Sequence, residues 1–113
     1  MGKSETEVLV NANVNAVVFV MDYLQLQLDI GIVTYMAFPE VSSSEEVYRF
    51  GERDYRNELC KFIGERVSSI EVKEDELFCL NFKRGKISIS LSPEKYTCPE
   101  MVVIDLADKG IVF

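Results

Sequence analysis

The chain has 113 residues, 48% of them hydrophobic, with seven Phe and five Tyr, so a disordered polymer is excluded and one domain with a single core is implied. Nineteen acids against 12 bases give a net charge of −7, which opposes binding to nucleic acid or an anionic membrane. Histidine is absent, so Ser/His/Asp and Cys/His nucleophile systems are impossible and the commonest transition-metal ligand is missing.

Residues 1–7 are polar and read as a frayed N-terminus, with a single α+β domain over 8–113. Met1–Glu5 has no apolar signal region, and three widely spaced cysteines make a poor disulfide framework; both point to a reducing cytoplasm. Val14–Met21 is apolar on both faces and reads as a strand covered on two sides. Tyr23–Asp29 alternates cleanly, with Leu24, Leu26 and Leu28 on one face and Gln25 and Gln27 on the other. Asp29-Ile30-Gly31 predicts a turn in which the glycine takes a positive φ. Ile32–Phe38 is the return strand, ended by Pro39. Asp22, Gln25, Gln27 and Asp29 interrupt this apolar stretch and rule out a membrane helix.

Ser42–Glu46 reads as a polar loop. A helix is predicted over Glu52–Ile63, with Tyr55, Leu59, Phe62 and Ile63 as its apolar stripe and Gly64 just past its end. Period two then returns at Ser69–Val72, a charged turn spans Lys73–Glu76, and Leu77–Phe82 is the next strand. Lys83-Arg84-Gly85 closes a hairpin onto Lys86–Leu91, where Ile87, Ile89 and Leu91 face inward and Ser88 and Ser90 outward. Ser92–Lys95 suggests one helical turn, Met101–Asp105 a strand, and Asp108–Gly110 a turn into a terminal strand, Ile111–Phe113. The order hairpin, helix, meander predicts an α+β fold: an antiparallel β-sheet of five to seven strands with one main α-helix packed on it.

Chemistry-bearing motifs are sparse. There is no glycine-rich phosphate loop and no C-x-x-C pair, so neither cofactor nor metal is implied. Asp22 shares the strand parity of its apolar neighbours. It is turned outward by a bulge near Met21-Asp22, or satisfied inside by a partner, or a functional acid in a cleft. The last reading, a carboxylate-based enzyme, needs a second carboxyl within about 10 Å. Arg49, Arg53, Arg56 and Lys61 are interleaved with Glu52, Asp54 and Glu58, as on a solvated helix face with i,i+3 and i,i+4 pairs. Lys83, Arg84 and Lys86 make a basic hairpin tip, and Cys60 beside the helix stripe reads as a buried, inert thiol.

Three segments together carry a resemblance: Phe19–Leu28 (FVMDYLQLQL), Arg53–Gly64 (RDYRNELCKFIG) and Ile89–Tyr96 with Pro99-Glu100. Over residues 14–101 the chain resembles small bacterial proteins with a DYLQLQF…RDxLCxLIG…ISLxxxxYxxPE pattern, which look like immunity proteins of polymorphic-toxin and contact-dependent inhibition systems. The resemblance assigns no catalytic residue. Its fixed-looking positions (Asp22, Tyr23, Gln25, Tyr96, Pro99 and Glu100) fit a structural polar cluster as well as a site.

The charge is unevenly placed. Residues 4–48 hold seven carboxylates and no base, whereas 49–113 hold twelve acids and eleven bases. Such a field attracts a basic protein. The expectation is a non-enzymatic immunity protein that binds a basic toxin domain, often a nuclease in such systems. The nominated contact residues are Glu40, Glu45 and Glu46 in the polar loop, then Glu74, Asp75 and Glu76 at the charged turn; each also reads as a solubilising surface charge. The alternatives are a small-ligand or structural module, homodimeric through an exposed sheet edge, and a carboxylate-based enzyme centred on Asp22.

Overall fold

The computed structural model describes residues 6–92, 101–107 and 109–113. Among the described residues there are ten strands: β1 (Val14–Phe19), β2 (Leu24–Leu28), β3 (Gly31–Tyr35), β4 (Glu40–Ser43), β5 (Glu46–Tyr48), β6 (Val67–Lys73), β7 (Leu77–Phe82), β8 (Gly85–Ser90), β9 (Val102–Leu106) and β10 (Gly110–Val112). One helix, α1 (Tyr55–Cys60), lies between β5 and β6, and Glu7–Leu9 forms a 3-10 turn that seats Leu9 in the core. The strands build two five-stranded antiparallel sheets, ordered β1-β2-β3-β9-β10 and β5-β4-β8-β7-β6. The fold is therefore β-rich, and the expected single sheet of five to seven strands with a main helix is corrected.

Alternation explains the packing. Leu24, Leu26 and Leu28 bury one face of β2, and Val33, Tyr35, Val102 and Ile104 continue that face across β3 and β9. They meet Phe78, Leu80, Ile87 and Ile89 from the second sheet in one core. Tyr35 packs at 6.2 Å from Phe78, and Phe78 at 5.3 Å from Phe113. At the corner between β1 and β6, Gly64 donates its backbone N–H to Val14 at 2.7 Å, and Asn13 bridges Arg66.

The face of the first sheet away from the core is set by the same register. Val18, Gln25, Thr34 and Val103 form one cross-strand row, and Ala16, Gln27, Ile32 and Asp105 the next. Gln25 Nε2 donates to Thr34 Oγ1 across that row at 3.3 Å.

Three local expectations change. Ser42–Glu46 is a hairpin: β4 and β5 pair through a two-residue turn, Ser44-Glu45, whose φ angles of 53° and 69° match the twist of a tight hairpin. The helix is six residues long, because both flanks tighten into i→i+3 turns: Tyr55 N–H bonds Glu52, Phe62 bonds Leu59, and Ile63 bonds Cys60. Tighter winding moves the period from 3.6 toward 3.0, so Tyr55, Leu59 and Phe62 stay buried while Ile63 turns out to 46% exposure. Gly64, at φ +93°, ends the segment as expected. Gly31 has no positive φ; a Cβ there would lie 2.9 Å from Leu106 and closer still to the Asp105 carbonyl. Its role is close approach of β3 to β9.

Gly85 plays the same part between β8 and β4, where a Cβ would collide with the Ser42 carbonyl group. Gly85→Ala should lower the unfolding free energy by about 3 kcal/mol in a urea titration, by overpacking against backbone. Gly110→Ala is the control: its nearest foreign atom lies at 3.7 Å, and a change within about 0.5 kcal/mol is expected.

Candidate functional site

The second sheet has two ends of different chemistry. Ser43 pairs with Gly85, so the Ser44-Glu45 turn lies beside the Lys83-Arg84 turn. Glu40 pairs with Ser88, and Leu77 with Ser90, so Glu40 lies toward the opposite end with the Glu74-Asp75-Glu76 turn. Five residue steps along β8, about 17 Å, separate the ends. The six carboxylates nominated from the sequence are thus divided. Glu45 and Glu46 sit at the first end; there Glu45 shares a shallow depression with Lys83, Arg84 and Lys86, which offset its charge. Glu40, Glu74, Asp75 and Glu76 gather at the other.

Two clefts open at that acidic end. One, of about 160 Å³, is lined by Glu40 and Glu76 with Phe38, Leu77, Ile89 and the serines Ser88 and Ser90. The other, of about 220 Å³, is lined by Glu74 and Asp75 with Leu91, Val112 and Phe113. Both combine carboxylates with an apolar floor. Both are smaller than the roughly 300–1,000 Å³ of small-molecule pockets, and suit single side chains better than a free ligand.

Backbone geometry holds the carboxylates in place. Asp75 takes a φ of 62°, which reverses the chain within the turn. Glu76 N–H donates to the Lys73 carbonyl at 2.9 Å, and its own carbonyl accepts the Leu91 N–H at 2.9 Å, tying the turn to the end of β8. Glu40 accepts a hydrogen bond from Arg49 Nε at 3.1 Å. With side chains 42% and 61% exposed, this pair contributes at most about 1 kcal/mol and is readily exchanged for a partner's cation.

Helix α1 positions the first cleft from behind. The Tyr55 hydroxyl donates to the Pro39 carbonyl at 2.6 Å in the buried interior. Phe50 stands edge-on to Tyr55 at 5.9 Å and stacks on Phe38 at 3.9 Å. Phe38, Pro39 and Glu40 are thereby fixed by α1 and the turn before it. This aromatic clamp was not identified from the sequence. Its only signal there is Phe50 beside Gly51, outside any period.

The polar cluster nominated with the motif is placed differently. Val20 and Tyr23 exchange backbone hydrogen bonds at 2.9 and 3.3 Å, so Met21 and Asp22 form the turn between β1 and β2, and Asp22 is exposed. Strand parity fails for Asp22 because the strand ends before it. The bulge lies near Asn15 instead, where the register slips between Val14 and Ala16. Tyr23 and Gln25 are half-buried on or near the first sheet's outer face, away from both clefts. Tyr96, Pro99 and Glu100 lie outside the described residues, as do Cys98 and the expected Ser92–Lys95 turn beyond Ser92.

The basic residues follow expectation in part. Arg49, Arg53 and Arg56 are exposed and Lys61 makes the expected i,i+3 pair with Glu58 at 2.8 Å, but Arg49 reaches Glu40 and the Arg56 guanidinium lies 5.6 Å from the Phe19 ring centre. Cys60 is exposed, correcting the buried reading; Cys79 is buried, pushed up in pKa by burial first, with Lys86 opposing and Glu71 adding. Among the described residues no group of three or more His, Cys, Asp or Glu side chains is arranged to hold a metal ion. None of their helices is long and apolar enough to cross a membrane. No family model, curated protein or solved structure matches the chain.

The two buried tyrosines give opposite expectations. Tyr55→Phe leaves the Pro39 carbonyl without its donor and should cost about 1–2 kcal/mol. Tyr35 Oη has no hydrogen-bond partner in its buried site, so Tyr35→Phe should raise stability by about 1 kcal/mol at pH 7. Burial, with smaller contributions from Cys79 and Tyr55, pushes the Tyr35 pKa well above its ordinary value of 10.0. The folded state thus holds the phenol proton more tightly than the unfolded chain. That contribution is complete below pH 10 and falls as pH rises further, so thermal stability should drop above about pH 10. The drop should be shallower in Tyr35→Phe, as calorimetry across pH 8–11.5 would show.

Proposed function

We propose that the protein is a non-catalytic binding module that captures a basic protein domain at the acidic end of the second sheet. With the motif resemblance, we read that domain as a bacterial toxin and the chain as its cytoplasmic immunity protein. The supporting observation is the pair of clefts at one end of the sheet, each lined by carboxylates and apolar side chains. Lysine and arginine have that same division: an apolar stem and a charged head. Two such side chains from one partner would lay their stems over Phe38, Leu77 and Ile89 in one cleft and over Leu91 and Phe113 in the other. Their cations would meet Glu40 and Glu76, and Glu74 and Asp75. A nuclease must carry positive charge to hold its polyanionic substrate, so an acidic inhibitor is steered to that surface and covers it. Such steering acts on the association rate, and the apolar floors and paired charges on the dissociation rate.

The test is growth rescue. Bacteria expressing basic toxin domains of contact-dependent systems are co-transformed with this chain, and the rescued domain is then titrated. Association should slow about tenfold or more between 50 and 500 mM NaCl. Glu40→Gln with Glu76→Gln should weaken binding about tenfold, roughly 1.4 kcal/mol. Undiminished rescue by a variant with Glu40, Glu74, Asp75 and Glu76 all neutralised would rule this end out.

A further inference from the structure

The outer face of the first sheet serves neither the core nor the acidic end. We propose that it is the contact surface between two copies of this chain. The face is nearly free of charge in a protein where 27% of residues are charged: its two cross-strand rows carry a single formal charge, Asp105. The outer face of the second sheet differs, since its rows place Glu40, Glu71, Lys73 and Lys86 toward solvent.

Charge selects the occupant. A body of net charge −7 repels its own copy, so self-contact costs least where opposing acids are absent. A basic partner gains little from this face with its single carboxylate and is drawn instead to the four at the acidic end. Val18, Ile32 and Val103 supply apolar area, and two-fold pairing sets the surface poorest in charge on its own copy. The polar groups between them are already engaged in part, because Gln25 donates to Thr34 within the face; desolvation is correspondingly cheaper. Five strands at about 4.8 Å spacing, on average about five residues long at about 3.3 Å each, give a face of roughly 24 by 16 Å. Side-chain relief raises its accessible area above that flat projection, to about 500 Å² per copy, the range of weak and transient contacts. A weak dimer, with a dissociation constant in the micromolar range, is the result.

Salt separates this contact from toxin binding. Screening removes the repulsion between two acidic bodies, so self-association strengthens with NaCl whereas capture of a basic domain weakens. The experiment is sedimentation velocity of the full chain at 5–200 µM in 50 and 500 mM NaCl. The expected result is a species of twice 12.9 kDa whose dissociation constant tightens several-fold at the higher salt. Val18→Glu with Thr34→Glu should give a monomer with an unchanged circular dichroism spectrum. A chain still monomeric at 200 µM in 500 mM NaCl overturns the proposal, as does a dimer that added salt dissociates or that persists in the double variant. Should that variant fail to fold, the wild-type salt series decides alone.

Discussion

One buried hydrogen bond fixes the crossing between the two sheets. The chain leaves the first sheet at Tyr35 and enters the second at Glu40, and the Tyr55 hydroxyl holds the Pro39 carbonyl in that passage at 2.6 Å. Proline suits the place because it has no N–H to satisfy where neither ladder is available. The bond joins α1 to the crossing, and the Phe38–Phe50–Tyr55 stack carries the constraint outward to the first cleft. A six-residue helix too short to be stable alone is thus held by tertiary contacts, and in return sets the position of Glu40.

Local period was legible in the sequence; long-range pairing was not. The Leu24-Gln25-Leu26-Gln27-Leu28 alternation and the inward Ile87, Ile89 and Leu91 appear as expected. Both follow from period two alone. The split into two sheets depends on β9 pairing with β3 some seventy positions earlier, for example Ile104 with Val33, and nothing local announces it. The β4–β5 hairpin was hidden because Ser44 and Glu45 take positive φ without the glycine or asparagine that usually marks such turns. Asp22 points outward, one of the three outcomes the sequence leaves open, but through a two-residue turn at Met21-Asp22 and not through a bulge.

For the acidic end, the charge pattern pointed to carboxylates but could not group them. Glu40 and Glu76 line one cleft although thirty-six positions separate them, because β4, β8 and β7 are adjacent in the second sheet. Glu45 and Glu46, close to Glu40 in sequence, are carried to the other end by the direction of β4. The resulting molecule has two chemically distinct surfaces: an acidic, cleft-bearing sheet end and a sheet face with Asp105 as the one charge in its two rows. The two roles proposed for them respond oppositely to ionic strength, so they can be tested separately in one protein.

The acidic end is the proposed docking place for a basic protein. Amide hydrogen exchange of the chain, alone and with a rescued basic toxin domain, tests this most directly. Slower exchange at residues 74–77 and 88–91 is the predicted result. Protection confined to residues 16–34, with the Glu74–Glu76 turn unchanged, would contradict it.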